Sequence, residues 1–115
     1  MAFRTDLSQA ILKTEYNEKV DELCKDAMIL SFHKYGPVAK NYATGNVDSI
    51  KCLEQRLALY KETGNTSWLI DVINQARIEF TYPQHSNKHY RGTTSSESPG
   101  LKGLTVKDIE KLQNE

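Results

Sequence analysis

Between Tyr16 and Tyr35, the residues Val20, Leu23, Cys24, Ala27, Met28 and Leu30 recur at steps of three and four. That spacing predicts one apolar face of a helix, stopped by Gly36-Pro37. A second helical pattern carries Val47, Ile50, Leu53, Leu57 and Tyr60 and ends at Gly64. A third runs from about Ser67 to Phe80 and is closed by Pro83. No stretch alternates apolar and polar residues with a period of two. The expected fold is therefore all-α, a small antiparallel helical bundle.

The two later helices follow the same tripeptide, Thr44-Gly45-Asn46 and Thr63-Gly64-Asn65. Glycine suits the left-handed position after a helix, and asparagine or the next hydroxyl can cap a new one. The flanking residues differ, so this is repeated punctuation rather than a duplication. At the start, "TDLSQAILKTEYN" offers a short helix with Leu7, Ile11 and Leu12, separate from the first main helix or continuous with it. Residues 92–104 read as a flexible linker. Beyond it, residues 105–115 predict a short C-terminal helix, with Thr105 and Asp108 spaced as a capping box and Val106, Ile109 and Leu112 on one side. So short a helix must dock on something to persist. The expected organisation is a helical bundle domain over residues 1–91, the linker, and that helix.

The third main helix carries the most information about function. At about 100° per residue, Trp68, Leu69, Val72, Ile73, Ala76 and Phe80 form one arc, while Ile70 and Ile78 lie elsewhere. Apolar residues on more than one side predict a central helix. Asp71, Gln75 and Glu79 form a polar stripe, each four residues after the last, and Glu79 falls angularly between Trp68 and Val72. A carboxylate on a core face must find a partner or change its protonation. Glu79 is expected to reach solvent or a cation such as Arg91; the competing reading is a polar pocket lined by Asp71, Gln75 and Glu79.

Charge removes several classes of partner. Lys plus Arg and Asp plus Glu are 15 each, so no net field draws the chain to nucleic acid or an anionic membrane. No apolar run is long enough to span a bilayer, and the start has no signal-peptide pattern, so a cytoplasmic location is expected. Cys24 and Cys52 both sit inside helical patterns and are expected to be reduced, half-buried thiols. Cys52 and Leu59 are expected to be exposed, giving a face on which a second copy could dock with twofold symmetry.

After Pro83 the chain gathers His85, Lys88, His89, Tyr90 and Arg91. The two histidines have zinc-ligand spacing, but His33, Cys24, Cys52 and Glu79 are too scattered to complete a site, so no metal is assigned. The cluster offers several donors and one aromatic face, as a phosphate or nucleotide contact would. The plainer reading is a polar loop whose Tyr82 and Tyr90 cover the end of the bundle. Neither a Gly-x-Ser-x-Gly nucleophile nor a glycine-rich phosphate loop occurs, and no catalytic residue or cofactor is assigned.

Two resemblances bear on these expectations. The Asp of "WLIDVIN", Asp71, resembles that in the second acidic helix of the MazG-like all-α nucleotide pyrophosphohydrolases. There, a Glu three residues earlier joins this Asp to hold magnesium; here Trp68 stands in that place. On the partner helix Glu54 is followed at the required spacing by Leu57, and the correctly spaced Glu15 and Glu18 lie on a solvated helix. Too few carboxylates converge for a divalent ion, so the catalytic role is not carried over. Tyr60 to Gly100 resembles small uncharacterised proteins of phages and prophages of Gram-positive bacteria. The shared features are the Thr-Gly-Asn turn, the Asp-Val-x-Asn helix, the Glu-Phe pair, the Pro with two downstream His and the Ser-Pro-Gly tail.

That resemblance implies a mobile-element origin and a host-cell setting. The first expectation is a non-enzymatic interaction protein that binds a host macromolecule, with blocking of a bacterial defence system as one such role. The alternative is a binder of a nucleotide or phosphorylated small ligand, including a decayed MazG-like hydrolase. The expected contacts in either case are Asp71, Gln75, Glu79, His85, Lys88, His89, Tyr90 and Arg91.

Overall fold

The computed structural model describes residues 5–94, 96–99, 103 and 106–113. Six helices follow in order: α1 Asp6–Glu15, α2 Glu18–Tyr35, α3 Val38–Ala43, α4 Ser49–Thr63, α5 Ser67–Thr81 and α6 Val106–Gln113. No helix is long and apolar enough to cross a membrane among the described residues. The chain divides after Gln84 into two compact units, which are described separately.

Four helices of the first unit, α1, α2, α4 and α5, start where a short polar side chain satisfies amide groups that have no helical acceptor. Thr5 Oγ1 accepts from Ser8 N (3.1 Å), Asn17 Oδ1 from Lys19 N (3.0 Å), Asp48 Oδ1 from Lys51 N (3.0 Å) and Asn65 Oδ1 from Ser67 N (3.0 Å). Extended backbone at Tyr16 and Asn17 separates α1 from α2, which settles the question of continuity. The repeated tripeptide has two uses. Thr63-Gly64-Asn65 joins α4 directly to α5, with Gly64 left-handed at φ 73°. Thr44-Gly45-Asn46 instead ends α3, and Asp48, not Asn46, caps α4. Helix α3 itself was not anticipated: six residues are too few for a periodic signal, and Pro37 ahead of Val38 opens a new helix rather than only closing the old one.

The order of the hydrogen bonds fixes how these helices run. Asn74 Nδ2 donates to Cys24 O (2.9 Å), and one turn further along α5 Arg77 Nη2 meets Asp21 Oδ1 (3.4 Å). As α5 advances from 74 to 77, its partner on α2 retreats from 24 to 21. Thus α2 and α5 are antiparallel. The side chain of Gln84, just past α5, donates to Val47 O just before α4, so α4 and α5 form an antiparallel hairpin. Tyr42 donates from its hydroxyl to Pro83 O (3.3 Å) and its ring lies 5.5 Å from that of Tyr82, bringing α3 to the same end. Helix α5 packs on both α2 and α4, the central position that its apolar residues required.

The interior differs from the predicted arcs. Trp68, Leu69, Val72 and Ile73 are half-buried, but Ala76 and Phe80 of the same arc are exposed, Phe80 by 73%. The buried position on α5 is the polar Asn74. On α2 the predicted apolar face splits. Cys24 is fully buried, while Leu23 and Leu30, angularly more than a quarter-turn away, are exposed. Cys52 and Leu59, expected on the outside of α4, are half-buried because α4 lies against α5. Both thiols are free.

In the second unit, Glu97 N and Ser98 N both donate to Thr94 O (3.1 Å each), closing a turn inside the predicted linker. Helix α6 covers Val106–Gln113, and its Leu112 is exposed. Thr105, the first half of the predicted capping box, lies outside the described residues.

Candidate functional site

The first unit contains a cleft of about 860 Å³ bounded by the C-terminal half of α2, by α3, and by the segment leading into α4, with α5 on its inner side. Asp71, Asn74, Gln75 and Ile78 line it from α5. Their i, i+3, i+4, i+7 spacing places them on one face of that helix. Met28, Phe32 and Tyr35 contribute apolar surface from α2, and Val47, Cys52 and Arg56 contribute from the opposite side. Polar and apolar walls therefore meet in one concavity.

Of the predicted stripe, Asp71 and Gln75 are in this cleft and Glu79 is not among its lining residues. Glu79 acts at the end of its helix. Its Oε2 accepts from Gln84 N at 2.7 Å, and its Oε1 is buried with no hydrogen-bond partner. Arg91, the cation expected for it, is instead paired with Glu97 within the second unit. The partner that Glu79 required is a backbone amide five residues later.

Asn74 was missed in the sequence because an asparagine inside an apolar helix carries no distinctive pattern. Its position three residues after Asp71 is the signal that placed it on the same face. Its Nδ2 is used by Cys24 O, leaving Oδ1 buried and without a partner. Buried polar atoms of this kind are few in folded proteins and each calls for a reason.

The other predicted residues belong to the second unit. His85 Nδ1 accepts from Asn87 N (2.9 Å), and His89 Nδ1 donates to Asn87 O (2.8 Å). Each ring thus turns one nitrogen onto the backbone of the same turn. Among the described residues no group of three His, Cys, Asp or Glu side chains is arranged to hold a metal. Lys88 and Tyr90 are exposed. Arg91 forms a two-pronged pair with Glu97, Nη1 to Oε1 at 3.3 Å and Nη2 to Oε2 at 2.8 Å. Thr94 adds its hydroxyl (3.0 Å) and its amide (3.4 Å) to Glu97 Oε1. The Arg91 guanidinium, and then these Thr94 donors, hold the Glu97 carboxyl down to about 2. Arg91 is therefore neutralised inside its own loop, and the predicted cluster loses its strongest anion-binding group.

No protein-family model, no curated protein and no solved structure matches this chain.

Proposed function

We propose that this protein is a non-enzymatic interaction protein that docks a partner macromolecule on the C-terminal half of α2. The supporting observation is the distribution of large apolar groups there: Ile29 (57% exposed), Leu30 (70%), Phe32 (55%) and Tyr35 (64%). On a helical wheel Ile29, Phe32 and Tyr35 share an arc of about 120° and Leu30 lies about 100° further round, so most of the segment's exposed apolar surface is on one face. A helix of that kind belongs inside a larger assembly, yet α5 covers one side only. A contiguous exposed apolar surface on a soluble domain marks a contact for another molecule.

The partner chemistry that fits is a protein surface with an apolar groove receiving Ile29 and Leu30, which lie on the side of α2 away from Cys24. The resemblance of Tyr60 to Gly100 to phage and prophage proteins favours a bacterial host protein as that partner, met in the host cytoplasm, with interference in a defence system as the role. A second copy of the chain is the competing occupant of the same surface.

The test is capture from a bacterial lysate and purification of the resulting complex, with the double variant Ile29→Asp, Leu30→Asp alongside. Surface substitutions shift stability within about 0.5 kcal/mol, so the variant should remain helical and cooperatively folded. The reading expects a stoichiometric complex that the variant no longer forms. A wild-type chain that stays monomeric and captures nothing, or a variant that captures the same protein equally well, refutes it.

A further inference from the structure

We infer that the cleft against α5 binds a small planar ligand rich in N–H donors, of the guanine or guanidinium type. Leu30, Phe32 and Tyr35 also line this cleft, whereas Ile29 is not among its lining residues, and the inference, which starts from α5, does not rest on the partner-docking reading.

The inference begins with the face of α5 turned to the cleft. Asp71, Asn74, Gln75 and Ile78 occupy the four positions that, on a helix packed against a neighbour, are ordinarily apolar. Three of the four are polar. Asp71 and Gln75 are half-buried at the cleft wall, where a polar group gains from a hydrogen-bond partner.

The protein does not supply it. Among the described residues the Asp71 carboxylate makes no hydrogen bond or ion pair, although Arg56 lines the same cleft; Arg56 Nη1 instead donates to its neighbour Gln55 Oε1 at 3.3 Å. Asn74, 5% exposed, has given its amide hydrogens a partner in Cys24 O and keeps Oδ1 buried and unpartnered. The Gln75 side chain also makes no hydrogen bond among the described residues. What α5 offers the cleft is the Asp71 carboxylate, which only accepts, beside the Gln75 amide; Asn74 Oδ1 is enclosed beneath them.

The chemistry that matches is a ligand that donates. A carboxylate accepts two parallel N–H groups from one planar fragment, as it does from a guanidinium, and the amino and imino groups of guanine present the same pair. Met28, Val47 and Ile78 supply apolar walls for the flat faces of such a group. Lys34 and Arg56 balance Asp48 and Asp71 around the cleft, so it has no positive surplus with which to hold a polyphosphate. Its volume is in the range that accommodates a single small molecule.

Cys52 provides the measurement, because it lines the cleft whereas Cys24 is 0% exposed. The rate of Cys52 alkylation by N-ethylmaleimide is followed in the full chain with guanosine, agmatine or adenosine added. Adenosine is the control, since it places an acceptor where guanine has its imino donor. Guanosine or agmatine at about ten times its dissociation constant should slow the reaction about tenfold by mass action, while adenosine does not. Protection by guanosine alone identifies a base site, and protection by agmatine alone a guanidinium site. Asp71→Asn should abolish protection while Cys24 remains unreactive, which shows that the variant is folded. Alkylation unchanged by both probes, or equal protection in Asp71→Asn, overturns the proposal.

Discussion

Asn74 Nδ2 donates to the backbone oxygen of Cys24 across 2.9 Å, joining α5 to α2 at a separation of 50 residues in the chain. Both residues are buried, and among the described residues Cys24 is a fully enclosed apolar side chain. One directional bond thus joins two buried positions and sets the register of two antiparallel helices.

Asn74→Ala should lower the unfolding free energy by about 1–2 kcal/mol, the usual loss for a buried hydrogen bond and its packing. Asn74→Asp keeps the shape but turns an acceptor toward the Cys24 oxygen and buries a charge. It should cost about 3 kcal/mol or more at neutral pH. Burial disfavours the ionised form, so the deficit is present above the aspartate's unfolded pKa and shrinks as acid protonates it. Urea unfolding of both variants at neutral and mildly acidic pH checks the size and the direction.

Glu79 distinguishes a capping role from a charge role. Glu79→Gln retains an acceptor for the amide of Gln84, now 2.7 Å from Oε2, and removes a negative charge from the end of a helix where it is unfavourable. Its stability should stay within about 0.5 kcal/mol of the wild type. Glu79→Ala removes the acceptor and should lose about 1 kcal/mol. Equal losses in the two variants, read from urea midpoints, would show that the charge itself matters.

Gly64 carries the turn between α4 and α5 at φ 73°. A Cβ built there meets nothing within 4 Å, so any loss on substitution is conformational rather than steric. Gly64→Ala should destabilise by about 1–2 kcal/mol, and Gly64→Asn by less, because asparagine tolerates the left-handed region. Thermal melts of the two variants should fall in that order.

The Arg91–Glu97 pair predicts an acid-sensitive loop. Glu97 ionises at about 2 instead of the ordinary 4.5, a depressed value. Its contribution to the loop is therefore present above the unfolded pKa and is lost as pH falls through the folded one. A carbon-detected NMR titration should place the Glu97 midpoint near that lower value. In Arg91→Ala it should return toward the ordinary range, and exchange protection of the Thr94 amide should weaken.

The local grammar of the chain was legible from its residues. Apolar steps of three and four marked α2, α4 and α5, and Gly64, Pro83 and Gly36-Pro37 marked where they stop, because these signals depend on neighbours within a turn or two. Helix α3 escaped, since Val38–Ala43 is shorter than two turns. The break between α1 and α2 rests on the backbone at Tyr16 and Asn17, which no spacing encodes.

The sequence by itself determined an all-α chain, the centrality of α5 and the candidacy of Asp71 and Gln75, because propensity and periodicity act along the chain. Tertiary structure decided which side of α2 faces α5, so that Cys24 is enclosed while Leu30 is exposed. It also made Asn74 the buried member of α5 and assigned Glu79 to Gln84 and Arg91 to Glu97. Burial and partnership are properties of what lies opposite a residue. For the helix contacts that opposite group lies tens of positions away, and for the loop contacts it depends on a turn that a helical wheel does not contain.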